Sequence, residues 1–331
     1  MPTTSYPSLR HIFCTLCNWS QRAWEVLAGG WSTSTKNAYE VSAKKWLHYT
    51  LHNNVNPVTP LANQCVDFLT EYMDSGVGYS SVNTSKSLLS SFVRVDGVPL
   101  GEHALICKYM KGVRREKPPQ TRLDDVWDPI PVLHYLQGWG PIANLNLDRL
   151  SKRTMVLFLL ATGQRLQALH LMLRPDMVWT EDTVRIRYTQ RLKSNDPIDK
   201  PLLLRFDKRE NENLCVFSHL KAYTEDKRTQ PAAPFVFATI KVPTHRAKSD
   251  TLSNYVKQTL RLAGVHEQYT PYSIRHASTS AAARMNIPIG EILKSAGWSR
   301  ESTFARFYNR PLHAPAGALA ETDFIPTLLD G

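Results

Sequence analysis

A basic stretch broken by two prolines, Lys111-Gly-Val-Arg114-Arg115-Glu-Lys117-Pro118-Pro119-Gln-Thr-Arg122, cuts the chain into two parts that cannot belong to one continuous element. Adjacent prolines remove backbone donors and push the residue before them out of helical geometry. Upstream, apolar residues recur at helical spacing. Downstream, helical runs are interrupted by segments of period two. With 331 residues the chain is long enough for two domains, each with its own core.

In the upstream part, the capping cluster Ser32-Thr-Ser-Thr35 precedes a helix over 37–51 whose apolar face is Tyr39, Ala43, Trp46 and Leu47. Pro57 and Pro60 open a second helix with Val66, Phe68, Leu69 and Tyr72 inward, and Gly76 and Gly78 end it. Segments 81–93 and 103–113 read as two more. A compact helical bundle is expected over 1–115 and a linker over 116–127, whose charge suits a strap along a DNA backbone. In the downstream part, 150–161 is an apolar helix closed by Gly163. Thr183 to Tyr188 alternates strictly as a half-buried strand, 193–197 is a turn, and Pro201 to Phe206 is the returning strand. Phe235-Val-Phe237 is read as a third strand, with helices at about 249–263, 271–286 and 288–297. The fold class expected is mainly α with a small antiparallel β-sheet (α+β).

Charge narrows the partners. The net charge is +11 with a pI near 9.4, a balance that suits a polyanion, because phosphates reward lysine and arginine by counterion release. Five cysteines (Cys14, Cys17, Cys65, Cys107 and Cys215) with no signal peptide ahead of them argue for a reducing compartment and against a disulfide framework. Cys14-Thr-Leu-Cys17 has zinc-knuckle spacing but no second pair follows, so it reads as core thiols, and no metal or other cofactor is expected. The most apolar run, Met155 to Ala161, is too short to span a bilayer.

The chemistry lies in an ordered set: Thr162-Gly163-Gln-Arg165, then Tyr272-Ser-Ile-Arg275-His276, then Gly297-Trp298, then Arg306-Phe-Tyr308-Asn-Arg310. Attack on a phosphodiester puts charge on two non-bridging oxygens, which a pair of guanidinium forks can neutralise. Arg165 and Arg275 are the candidates. Tyr308, behind Phe304 and Phe307 and flanked by Arg306 and Arg310, is the candidate nucleophile, since a phenolate both attacks and leaves. A leaving 5′-hydroxyl needs a proton, and a lysine on a hairpin tip can deliver it; Lys193 is the first choice and Lys200 the substitute. Each of these residues, considered alone, is equally at home in a salt bridge, a core or a solvated turn.

Taken in order, these pieces resemble the tyrosine recombinases of the phage-integrase type. Thr162-Gly163-Gln164-Arg165 looks like the first arginine box of that family. Tyr272-Ser273-Ile274-Arg275-His276 is similar to its second box, Gly297-Trp298 to the position that carries histidine or tryptophan, and Tyr308 and Lys193 to the nucleophile and the hairpin lysine. The boxes look most like those of recombinases from DIRS-like and Ngaro-like retrotransposons. The resemblance implies an N-terminal helical core-binding domain, a catalytic domain over 128–310 and a tail over 311–331, with Phe324 to Leu329 exchanged between protomers. It further implies double-stranded DNA with a specific recombination site as partner, a homo-tetramer on that DNA, passage through a Holliday junction, no metal, and a nuclear location. Lys111, Arg114, Arg115, Lys117, Arg306 and Arg310 are the expected phosphate contacts. Three departures stand out. Tyr272 replaces the usual histidine, and His276, next to Arg275, points about 100° away from it on a helix. Ala168 stands three residues after Arg165, where a carboxylate often braces the arginine. The gap from Trp298 to Tyr308 is ten residues. Two other functions fit the same pieces: an idle DNA-binding protein of this fold, and type IB topoisomerase-like relaxation of DNA.

Overall fold

The computed structural model describes residues 9–119, 125–193, 196–298, 302 and 312. The chain falls into two compact units, Met1–Arg122 and Leu123–Gly331. Its fold is mainly helical with small antiparallel sheets.

In the first unit a short turn of helix, α1 (Leu9–His11), runs into a π-helical segment, Ile12–Leu16, and then α2 (Gln21–Gly29), α3 (Thr33–His52), α4 (Ala62–Asp74), α5 (Tyr79–Leu89) and α6 (Ala104–Glu116). The Ser32 hydroxyl caps α3 by accepting the amide of Thr35, and Ala43, Trp46 and Leu47 are buried as the apolar stripe requires. Pro57 and Pro60 lie ahead of α4 in a turn whose Val58 and Thr59 amides donate to the Asn56 side chain. Trp46 anchors the bundle: fully buried, it packs edge-on against Phe68 and donates its indole N–H to the carbonyl of Pro57 at 3.0 Å. A second aromatic nest gathers Trp19, Trp24, Trp31 and Phe92 around Phe13. A two-stranded hairpin, β1 (Arg94–Val95) and β2 (Val98–Pro99), separates α5 from α6, with Asp96 and Gly97 both at positive φ in its turn. Asp-Gly between apolar residues is the signature of that turn, so this hairpin replaces the helical expectation only beyond Leu89.

The second unit is built around α8 (Leu147–Thr162), preceded by α7 (Pro129–Gln137). Helix α8 is buried on all sides, and its polar residues bond inward: Thr154 and Thr162 donate to carbonyls one turn back, at 2.7 and 2.8 Å. After the five-residue α9 (Leu166–His170) comes an antiparallel sheet of β3 (Met177–Trp179), β4 (Thr183–Arg187) and β5 (Leu203–Asp207), in that order. Val184, Ile186 and Leu204 face the core, whereas Arg185, Arg187, Leu203 and Arg205 face outward. Helices α10 (Val216–Glu225), α11 (Ser249–Leu262), α12 (Ser273–Arg284) and α13 (Ile289–Ala296) complete the unit.

The third strand corrects the sequence reading. It is Met177–Trp179, too short for its alternation to register. Val236 and Phe237 are buried, but this segment pairs with the loop after α9, through Leu173 opposite Phe235 and the Val236 amide on Met172 O at 3.0 Å. Helices α2, α7 and α10 also went unread. Helix α2 carries a short stripe, Trp24, Leu27 and Ala28, packed toward Phe13, and α7 has a legible start in the Asp128 cap and Pro129.

Arg153 lies wholly buried on α8. It donates to Nε2 of His219 at 2.7 Å and to the carbonyls of Leu136 and Gly140, both at 2.9 Å, while His219 in turn gives its Nδ1–H to Cys215 O at 2.8 Å. That geometry requires a neutral imidazole, and burial holds the His219 pKa down at about 4 and that of Arg153 at about 10. Between pH 6.5 and about 4 the unfolded chain therefore binds a proton at His219 that the folded chain excludes, so stability falls as pH falls through that window. The full loss is about 3 kcal/mol. Urea unfolding should show about 2 kcal/mol of this loss between pH 7 and pH 5, and His219→Gln, which keeps an acceptor for Arg153, should flatten its pH dependence.

Candidate active site

The backbone leaves α8 through Gly163, at φ 59° and ψ 19°, a left-handed cap that glycine adopts without strain. The turn 160–164 is then clamped by two helices more than a hundred residues downstream. Ser278 Oγ of α12 donates to Leu160 O, and Arg275 Nη1 of the same helix donates to Gly163 O. From α13, Ser295 Oγ donates to Thr162 O at 3.1 Å, and the Gln164 amide returns a bond to Ser295 O. Space here is tight: a Cβ on Gly163 would lie 2.8 Å from Thr279 Cγ2.

Arg275 is only 1 % exposed, and the ring of Trp298 lies 4.1 Å from its guanidinium carbon. A buried guanidinium over an indole face keeps its charge without a carboxylate on that side. Arg165 is the residue that caps α9, two positions beyond the carbonyl that Arg275 holds. It is half-buried, and its Nη1 is enclosed yet meets no hydrogen-bond partner among the described residues. Ala168, where a brace is expected, is buried in the core and offers only its carbonyl, to Tyr188 Oη at 2.9 Å. An enclosed guanidinium N–H without an acceptor is costly, and an anion is what satisfies it.

Tyr272 opens α12, and its ring stands edge-on to that of His276 one turn later, with centroids 5.2 Å apart. The replacement tyrosine and the adjacent imidazole thus form one pair on one helix face. On the sheet side, Lys193 is exposed within the β4–β5 loop. Leu192 beside it is buried in the core, and the Lys193 amide donates to the Gln167 side chain at 2.9 Å. Lys200, also exposed, bonds within the loop to Asp196 O at 3.0 Å. Asp176, buried beneath, accepts the amide and hydroxyl of Thr189 and so pins the strand leading into the loop.

Tyr308, Arg306 and Arg310 lie outside the described residues. In the first unit, Lys111, Arg114 and Arg115 are exposed on the last turns of α6, whereas the Lys117 ammonium donates to Met73 O at 2.6 Å, near the end of α4. Cys14 and Cys17 are free and half-buried, and no cluster of three or more metal-ligating side chains occurs among the described residues. No helix among them is long and apolar enough to cross a membrane. The sequence reading missed Gln164, Gln167, Ser278 and Ser295. Two of these flank Arg165 within its box; the serines looked like small packing residues.

Gly163→Ala should lower stability by about 3 kcal/mol, from the left-handed backbone and the collision with Thr279 together. Adding Thr279→Ser, which removes the colliding methyl and keeps the hydroxyl bonded to Arg275 O, should restore part of that in urea unfolding and leave the backbone share.

Recombinases and integrases bound to DNA are among the solved structures with a similar fold. The Tn1549 transposon integrase in complex with a circular intermediate DNA matches at TM-score 0.59 and 13 % identity, over 96 % of this chain and 99 % of that one. A lambda integrase dimer bound to a COC′ core site matches at 0.57 and 13 %, over 92 % and 99 %, and a lambda integrase tetramer on a Holliday junction at 0.52 and 14 %, over 92 % and 80 %. The XerH site-specific recombinase in a post-cleavage complex with difH substrate matches at 0.56 and 14 %, over 82 % and 75 %. Among the curated proteins none matches. The profile described as the phage integrase family matches residues 142–314, which hold the Gly163 turn, both arginine boxes, Trp298 and Tyr308, and with just over half of the chain matched the protein belongs to that family.

Proposed function

We propose that this member of the family is a site-specific DNA recombinase that cuts and rejoins DNA through a tyrosine, as part of a mobile element. The observation that carries the reading is the pairing of two guanidiniums on one turn: Arg275, sealed between Gly163 O and the Trp298 ring, and Arg165, with an enclosed N–H that lacks an acceptor among the described residues. A scissile phosphate supplies the missing acceptor, and in the dry floor of such a site a fixed donor is worth far more than in water.

In this mechanism Tyr308 attacks the phosphorus and the bond to the 5′-oxygen breaks, leaving a 3′-phosphotyrosine. Arg165 and Arg275 take the charge on the non-bridging oxygens, with Trp298 holding Arg275 in place. Lys193 protonates the departing 5′-oxygen. The Tyr272 hydroxyl donates to the phosphate, and His276, edge-on to its ring, is the imidazole that takes the Tyr308 proton. A 5′-hydroxyl from a partner duplex then reverses the step, so the phosphotyrosine stores the bond energy and no nucleotide is consumed. Lys193 is favoured over Lys200 because its backbone is held to α9, whereas Lys200 bonds inside its own loop.

The helical unit serves in this reading as the core-binding domain, with Lys111, Arg114, Arg115 and Lys117 along the DNA backbone and a tetramer assembled on two sites by exchange of the C-terminal tail. The transposon integrase and the junction-bound tetramer among the structural neighbours support this wider picture. The texture of the boxes supports a DIRS-like or Ngaro-like retrotransposon as the source, and hence action in the nucleus.

Covalent trapping tests the core of the proposal. The protein incubated with a pool of nicked duplexes and then denatured should carry DNA on the Tyr308 peptide, and Tyr308→Phe should carry none; salt-sensitive binding without an adduct would mean an idle DNA-binding protein. Arg165→Lys should lower adduct formation by about 100-fold or more. Because Arg165 Nη1 meets no acceptor among the described residues, the same change should leave the urea midpoint unchanged or higher.

A further inference from the structure

The general acid on a loop faces a positional demand that its charge does not solve. A proton donor must sit within hydrogen-bond reach of the leaving oxygen, and a displacement of about 1 Å can cost about 100-fold in rate. Lys193 lies within the loop between β4 and β5, and its side chain is exposed. Its backbone, by contrast, is held on two sides. Leu192 is sunk in the core at 5 % exposure, and the Lys193 amide donates to Oε1 of Gln167 at 2.9 Å, a bond spanning 26 residues of sequence.

Gln167 stands in the first turn of α9, two residues after Arg165, the cap of that helix. Helix α9 is itself fixed by the buried Ala168 and Leu169 and by Tyr188, whose hydroxyl donates to Ala168 O. One short rigid element therefore carries a phosphate-binding arginine and holds the backbone of the lysine. The partner chemistry is selective: a backbone N–H needs an acceptor, so the amide oxygen and not the nitrogen must face it.

We propose that Gln167 is a positioning residue for the general acid, tying Lys193 to the helix that bears Arg165 so that acid and phosphate clamp keep one distance. The inference rests on the reading of Lys193 as the proton donor. In the step it serves, the Tyr308 oxygen bonds to phosphorus, the bond to the 5′-oxygen breaks, and a proton passes from the Lys193 ammonium to that oxygen, leaving a neutral amine; rejoining runs the transfer backward.

Two measurements on the full chain test it. By amide hydrogen exchange in the free protein, the Lys193 amide should be protected in the wild type and in Gln167→Glu, which keeps an acceptor, and should exchange faster in Gln167→Met. An unprotected Lys193 amide in the wild type, or equal protection in all three, overturns the tether whatever the DNA chemistry. Cleavage is then followed on the duplex recovered with Tyr308 and on the same duplex carrying sulfur at the 5′-bridging position, where a thiolate leaves without a proton. Gln167→Met should slow the oxygen substrate by about 10- to 100-fold. It should leave the sulfur substrate near the wild-type rate, with Gln167→Glu restoring the oxygen reaction. Equal slowing of both substrates would make Gln167 merely structural and sink the proposal. Failure of sulfur to rescue Lys193→Ala would instead remove Lys193 as the acid, a different failure from that of the tether.

Discussion

The hydrogen bond from Arg275 to the carbonyl of Gly163 is the contact on which the second unit turns. It joins residues 112 apart in sequence and fixes α12 against the end of α8. The reach is short because Gly163 has no side chain, and it is oriented because the left-handed cap turns that carbonyl out of the helix. Around it the Ser278, Ser295 and Gln164 bonds tie the same turn to α12 and α13, and Trp298 follows α13 directly. Loosening one of these shifts the guanidinium, its aromatic lid and the neighbouring Arg165 together.

A second regularity concerns how this unit keeps its buried and half-buried cations. Arg153 rests on a neutral imidazole and two carbonyls. Arg174 donates to Thr224 O, Thr229 O and the Thr229 hydroxyl. Arg246 lies 3.3 Å over the ring of Phe235 and donates to Nε2 of His170 at 3.1 Å. Burial lowers the pKa of each of the three. Neutral acceptors take up part of each guanidinium's donors while leaving its positive field intact, which a carboxylate would cancel. A unit that must draw a polyanion to its surface gains from that arrangement, at the expense of the Coulomb energy that ion pairs supply.

Much of the fold was legible because helices announce themselves by periodicity. The stripe of Ala43, Trp46 and Leu47, the apolar 150–161 and the alternating 183–188 all appear as elements. What failed to show had physical reasons. Helix α2 has an apolar stripe of only three residues, Trp24, Leu27 and Ala28, β3 is three residues long, and Val236 and Phe237 are buried by a loop pairing instead of a sheet. The Asp96-Gly97 hairpin was readable from turn chemistry and was passed over in favour of the helical pattern around it. In the candidate site the two arginines and the tryptophan were recognisable only as an ordered set, since each residue type is common and no single spacing is diagnostic.

The sequence by itself determined the residue inventory of the proposed reaction, the basic balance, the helical character and the break near residue 120, because these depend on composition, order and local stereochemistry. Only the tertiary structure decided which of these residues meet. It placed Arg275 on Gly163 O and under Trp298, left Arg165 Nη1 enclosed without an acceptor among the described residues, set Tyr272 against His276, and held Lys193 through Gln167. These are contacts between elements distant in sequence, each made by donors and acceptors that could equally have turned to water. Packing of α12 and α13 onto the end of α8, and of the β4–β5 loop onto α9, chose among those options, and local sequence carries no record of that choice.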